Sequence, residues 1–202
     1  MIVYGASGHA KVIIEILEDI GIDNIVVWDD APKVPELLGY PTSTPVDITA
    51  NMQNSMVIAI GNNEVRKRIA AARSQFSFVT AIHPQTQISK RAKIGKGTVV
   101  MSGVSINADT IIGDHCIINT TASIDHDCLI GDYVHVSPNA TLCGNVSVGE
   151  GTHIGAGSVV IQGKKIGKCC TIGAGTVVIS DIPDHATVVG NPGRIIKIKN
   201  SE

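Results

Sequence analysis

From Ile88 to Val178 an aliphatic residue returns at every sixth position: Ile88, Ile94, Val100, Ile106, Ile112, Ile118, Ile124, Ile130, Val136, Leu142, Val148, Ile154, Val160, Ile166, Ile172 and Val178, sixteen in register without one insertion. Four places after them stand short side chains such as Ala92, Thr98, Val104, Cys116, Ala122, Ala140 and Thr176, with Lys164 the one bulky charged exception. Six is not a helix period. Three short strands satisfy it, because they close a triangular coil of about 18 residues with the aliphatic residue inward on every side. Gly95, Gly113, Gly131, Gly149 and Gly167 recur every 18 residues, as expected if one corner of each coil repeats a backbone conformation that glycine adopts at little cost. Stacked at roughly 4.8 Å, about five such coils make a rod on the order of 25 Å long around one aliphatic column. Its flat sides invite packing against copies of the same chain, so a closed cyclic oligomer is expected.

Residues 1–80 follow a different grammar, which divides the chain into an α/β region, 1–80, and a repeat region, 81–202. The apolar start Ile2-Val3-Tyr4, the turn Gly5-Ala6-Ser7-Gly8-His9 and Val12, Ile13, Ile16, Leu17 and Ile20 at helical spacing read as strand, loop and helix. Two further apolar runs end at Asp29-Asp30 and at Gly61-Asn62-Asn63. In an open Rossmann-like parallel sheet those tips share the carboxyl edge where ligands bind, and the helix after Gly8 points free N–H groups at any phosphate held there. Two glycines fall short of the full dinucleotide fingerprint. Arg66, Lys67 and Arg68 read as the solvated basic face of a helix over 62–74, and His83-Pro84 as an extended entry to the first coil.

Lys plus Arg (16) nearly balances Asp plus Glu (18), so no broad positive field exists to attract nucleic acid or an anionic membrane. The chain shows no apolar run of the roughly 20 residues that span a bilayer and no signal-peptide pattern in residues 1–20, which predicts a cytoplasmic protein. Cys116, Cys128, Cys143, Cys169 and Cys170 form no CxxC pair; three of them fall at the small-residue position of the repeat and read as buried thiols.

The polar run Asn119-Thr120-Thr121-Ala122-Ser123-Ile124-Asp125-His126-Asp127 interrupts this regularity. Ile124 points inward, so His126 lies outward near a corner. A neutral imidazole suits removal of a proton from a nucleophile near pH 7. Either Asp125 or Asp127 can orient the ring and raise its basicity. His135 is an outward histidine with a binding or interface role, His153 lies one coil above it, and His115 reads as structural. Three histidines also raise a zinc site of the carbonic-anhydrase kind, but His126 and His135 lack the compact grouping, and no metal is expected.

With these residues in view, the chain resembles the bacterial nucleotide-sugar N-acetyltransferases of the hexapeptide-repeat family, the UDP-4-amino-sugar type of bacillosamine synthesis. The resemblance rests on YGASGH at 4–9, the acidic pair at 29–30, AIGNNEVRKRI at 59–69, and NTTASIDHD through GDYVHVS at 119–137. It implies a left-handed parallel β-helix, a homotrimer, and acetyl-CoA as co-substrate in the groove between neighbouring helices. It further implies that Ser7, Gly8, His9, Asp29, Asp30, Gly61 and Glu64 line the nucleotide-sugar site, with Asn119 near the acceptor amine. His126 becomes the general base, supported by Asp127, and His135, Gly144, Ala156 and Ala174 contact acetyl-CoA. Lys164, Lys165, Lys168, Arg194, Lys197 and Lys199 form a basic end suited to CoA phosphates. Direct attack by the amine is expected, without an acetyl-enzyme. A sialic-acid-type sugar O-acetyltransferase, a GDP-amino-sugar N-acetyltransferase and a non-catalytic scaffold are the alternatives; the His126–Asp127 pair opposes the last.

Overall fold

The computed structural model describes residues 1–45 and 55–199. The N-terminal region is a sheet of six strands, β1 (Ile2–Tyr4), β2 (Val26–Trp28), β3 (Glu36–Leu37), β4 (Tyr40–Ser43), β5 (Ser55–Ile58) and β6 (Ser77–Phe78), in the order β3-β4-β2-β1-β5-β6. All pairs are parallel except β3 with β4. Helix α1 (Gly8–Asp19) follows β1 and helix α2 (Asn63–Ala72) follows β5. Strand order reverses between β1 and β5, so the loops after them face each other across a crevice at the carboxyl edge. Gly5 makes that approach possible: its φ is 121°, and a Cβ there would stand 2.8 Å from the Ala59 carbonyl oxygen.

The repeat region is a parallel β-helix of two-residue strands. Its first face stacks Ala81–Ile82, Val99–Val100, Ile117–Ile118, His135–Val136, His153–Ile154 and Thr171–Ile172; its second runs from Gln87–Ile88 to Val177–Val178, and its third from Lys93–Ile94 to Lys165–Ile166. Each strand pairs with the one 18 residues away, as in Ile118 opposite Val136. The sixfold aliphatic positions form the column inside, joined by Cys116, Cys128 and Cys170. Each fully buried Ile or Val contributes about 1.5–3 kcal/mol relative to exposure. Ala186–Val189 extends the first face, and Arg194–Ile198 pairs with it antiparallel.

The corners follow a rule other than the expected one. Left-handed backbone recurs every six residues, at Gly97, Gly103, Asp109, His115, Thr121, Asp127, Tyr133, Asn139, Asn145, Gly151, Gly157, Gly163, Cys169 and Gly175. The 18-spaced glycines are outside this set. They are required by crowding: a Cβ on Gly113 would lie 2.3 Å from Asp132 Oδ1, and one on Gly149 would lie 2.6 Å from the Gly167 carbonyl carbon. Coil-to-coil contact, and not a glycine-only conformation, selects them.

Helix α1 joins the two regions. Ile13, Ile14, Ile16 and Leu17 pack in one cluster with Val3, Val27 and Val57 of the sheet and with Ala81, Val99, Met101 and Ile117 on the outside of the first face. Among the described residues no helix is long and apolar enough to cross a membrane.

Candidate functional site

His126 stands at the corner between the second and third faces, after Ser123–Ile124 and before Leu129–Ile130. Its side chain is 58% exposed. Asp127 occupies the left-handed position, φ 59°, a conformation Asp tolerates better than most residues, and this turns its carboxylate back on the ring: Oδ2 accepts from Nδ1–H at 2.7 Å. Asp125 is used differently. Its Oδ1 accepts from the His126 backbone N–H at 2.8 Å and from Asn107 Nδ2 at 2.7 Å, holding the turn and not the ring. The hydrogen bond to Asp127, then the charge of Asp125, raise the His126 pKa above its ordinary value. With the proton on Nδ1, the lone pair is on Nε2.

One coil above, Gly144 lies against the imidazole. A Cβ at 144 would stand 2.6 Å from both Cε1 and Nε2 of His126. Among the described residues the Gly144 N–H makes no hydrogen bond. The ring therefore has a free basic nitrogen beside a free backbone donor.

The second group of candidates is at the carboxyl edge of the N-terminal sheet. Ser7 is the N-cap of α1 in extended conformation, its side chain caps nothing, and the first turn holds no acidic residue; Ser7 and Gly8 are exposed. Asp29 braces this loop, accepting from Ala6 N–H and Ala31 N–H at 2.9 Å each. Asp30 accepts from the Tyr4 hydroxyl at 2.5 Å. Glu64 is exposed in the first turn of α2, which Asn62 caps through Val65 N–H at 3.0 Å.

Between these groups His9, His135 and His153 gather around Arg66. His135 and His153 project from the first face with ring centroids 4.8 Å apart. Asn119 Oδ1 accepts from Thr120 N–H at 2.8 Å, so its amide nitrogen is the atom 3.0 Å from His135 Nε2. That nitrogen must accept, and the His135 proton is on Nδ1, which points toward the Gly61 carbonyl without reaching hydrogen-bond geometry. His9 Nε2 is likewise buried and unpartnered among the described residues. Burial, then His153, Arg66 and His9, push the His135 pKa down to about 3; burial and Arg66 push His9 down to about 4. All three rings are neutral at pH 7.

Arg66 corrects the reading of 62–74 as a helix with a solvated basic face: it is 1% exposed, while Lys67 and Arg68 are exposed. Ala70, one turn on, is also buried, and that periodicity was the available signal. His115 is structural as expected, stacked on Tyr133 with centroids 5.3 Å apart and edge-on to Phe78 at 4.5 Å. His83 accepts from Gln85 N–H at 2.9 Å, a local turn role.

The sites expected for acetyl-CoA divide within one chain. Gly144 shares the His126 corner, whereas Ala156 and Ala174 are exposed at the corner between the first and second faces, and His135 is on the first face. The corner carrying His126 is opposite the first face, which carries the N-terminal region. Beside α2 a cleft of about 760 Å³ runs from Gly61 and Glu64 past His153 to Cys169 and Lys199. Among the described residues no cluster of three or more His, Cys, Asp or Glu side chains is arranged to hold a metal.

Two family models match the chain: the PglD N-terminal domain over residues 1–72, and the bacterial transferase hexapeptide (six repeats) over 109–144 and 127–162. The second is the left-handed β-helix repeat. The acetyltransferase domain of PglB from Neisseria gonorrhoeae FA1090 is 36% identical, with a TM-score of 0.89 over 96% of this chain and 98% of that one. PerB from Caulobacter crescentus, solved with CoA and GDP-perosamine, is 38% identical, with a TM-score of 0.91 over 97% and 96%. A Bacillus subtilis (strain 168) UDP-N-acetylbacillosamine N-acetyltransferase is 44% identical over 108 residues, 50% of each chain, so the match spans about half the length of that curated relative.

Proposed function

This chain belongs to the bacterial hexapeptide-repeat sugar acetyltransferases with a PglD-type N-terminal domain, and from that premise we propose that it moves acetyl from acetyl-CoA to the amino group of a nucleotide-linked sugar. A UDP-linked 4-amino sugar is the first acceptor in this reading. The observation that carries it is the His126–Asp127 contact of 2.7 Å, which leaves Nε2 as a solvent-facing base beside Gly144.

In the proposed step the neutral amine attacks the thioester carbonyl, forming the C–N bond, and Nε2 takes the proton from the nitrogen. The Gly144 N–H donates to the developing oxyanion. Collapse breaks the C–S bond, and the leaving thiolate recovers the proton from the imidazolium. Asp127 stabilises that cation throughout. The ordinary site of acetyl-CoA and nucleotide sugars places this activity in the cytoplasm.

The nucleotide end fits the carboxyl edge, where Ser7, Gly8 and His9 open α1 toward the diphosphate and Asp29, Asp30, Gly61 and Glu64 surround the nucleoside. Because His126 is on the corner opposite that edge, one chain alone does not complete the site. A homotrimer does: the His126 corner of one protomer faces the N-terminal region, His135, Asn119, Ala156 and Ala174 of its neighbour. Ile111 and Leu129, paired on the third face and 44% and 53% exposed, supply apolar surface for such packing. Lys164 and Lys165, two coils above His126, flank the same groove for the CoA phosphates.

Assay of CoA release with UDP-4-amino sugars, GDP-linked amino sugars and sialic acid tests this reading. Release with a nucleotide amino sugar supports it. Release with the hydroxyl acceptor alone, or with none, refutes it.

A further inference from the structure

Arg66 uses all five of its N–H groups. Nε–H donates to the His115 carbonyl at 2.8 Å, Nη1 to the Ile60 and Gly61 carbonyls at 3.0 and 3.2 Å, and Nη2 to the Tyr133 carbonyl at 2.9 Å and Asn63 Oδ1 at 2.8 Å. No carboxylate is among these acceptors. Five dipoles offset one buried charge, an arrangement with no margin for a lost partner.

The acceptors on the coil are in line. His115, Tyr133 and Gly151 are the left-handed residues of three successive coils at the corner between the third and first faces, with φ of 54°, 58° and 69°. Their N–H groups bond to the coil below, at Lys96, Asp114 and Asp132. The carbonyls remain for a partner outside the rod. Arg66 takes the first two, and Asn63 Nδ2 takes that of Gly151 at 2.9 Å. Since Asn63 Oδ1 also accepts from Arg66, the two side chains form one clamp.

We propose that Arg66, together with Asn63, is a positioning residue for the nucleotide-sugar pocket: the pair engages three corner carbonyls and holds the Ile60–Asn63 turn at a set height opposite His135. The proposal rests on the reading of residues 5–9 and 61 as the nucleotide-sugar site. A ladder with an 18-residue repeat offers equivalent rungs, so something must choose among them. The fork reaches two rungs while holding Ile60 and Gly61 from the other side, which fixes both height and rotation. Lysine, with three donors on one atom, cannot span that set.

The test compares wild type with Arg66→Lys, which keeps the charge. The expected result is a KM for the nucleotide amino sugar raised about tenfold, with kcat and the KM for acetyl-CoA within about twofold. Hydrogen exchange, read without substrate, should quicken in residues 60–66 and stay unchanged in residues 117–160. If Arg66→Lys does not fold, Asn63→Ala, which removes one rung, should show the same split at about threefold. Equal rises in both KM values, or unchanged exchange at 60–66, would overturn the proposal. If the wild-type protein acetylates no nucleotide amino sugar, the functional reading fails by itself, and the exchange comparison still decides the role of Arg66.

Discussion

The outer corner of the coil and the junction of the coil with the N-terminal region use histidine in opposite surroundings. On the coil corner, His126 is exposed beside two carboxylates, and its pKa is raised. At the junction with the N-terminal sheet, His9, His135 and His153 are largely buried near a guanidinium, and their pKa values are lowered. Exposure with a carboxylate makes a base that can accept and return a proton; burial near a cation makes fixed neutral hydrogen-bonding groups. On the proposed function, the difference would give proton transfer to the outer corner of the coil and recognition to the junction.

The sharpest way to break that division is His126→Ala. Removing the base should lower kcat by about 10³-fold, while UDP or GDP binding measured by calorimetry and the thermal midpoint stay near wild type. Lost nucleotide binding would mean that the two regions do not divide the work. Gly144→Ala probes the same corner without removing the ring. Its backbone is not left-handed, so alanine is allowed, but the new methyl would lie 2.6 Å from Nε2. The exposed imidazole must swing aside, and a fall in kcat of about 10²-fold with an unchanged melt is expected. Unchanged kcat would show that the ring position matters little.

Asp127→Asn sharpens the comparison more gently, because asparagine also tolerates the left-handed backbone at 127. Loss of the carboxylate removes the main cause of the raised His126 pKa. The acid limb of the kcat/KM profile, where the base becomes protonated, should therefore move to lower pH. The plateau should fall about tenfold, because the weaker base accepts the proton less readily. A limb that stays in place would assign the titration to another group.

Much of the coil is legible in the sequence. An uninterrupted sixfold period admits few solutions, and Val100, Ile118, Val136 and Ile154 all point inward as it requires. Gly, Asn or Asp fills most of the left-handed corner positions, whereas the 18-spaced glycines answer to crowding between coils and not to a left-handed turn, a cause that spacing alone does not reveal. Asp127 rather than Asp125 as the orienting group needed the resemblance, because sequence spacing alone places both beside the ring. Arg66 is not legible for a physical reason: a basic residue in a helix is ordinarily solvated, and only the corner carbonyls of two distant coils, added to its local acceptors, make its burial tolerable. Those carbonyls are backbone atoms, which carry no residue signature.

The smallest expected effect concerns the junction, and it follows from proton linkage. An unfolded histidine titrates near pH 6.5, whereas folded His135 does not take a proton until about pH 3 and His9 until about pH 4. Between those limits the unfolded chain binds more protons than the folded one, so stability present above pH 6.5 is lost as the pH falls. Each such histidine steepens that loss by at most about 1.4 kcal/mol per pH unit. His135→Gln removes one titration and keeps a polar side chain against Asn119. Thermal midpoints from pH 7 to 4.5 should then fall less steeply than in wild type, by a few degrees over the range. Carboxylates contribute equally to both proteins, and the difference isolates the ring. Parallel curves would show that His135 takes its proton in the folded state, and the junction would lose its contrast with the coil.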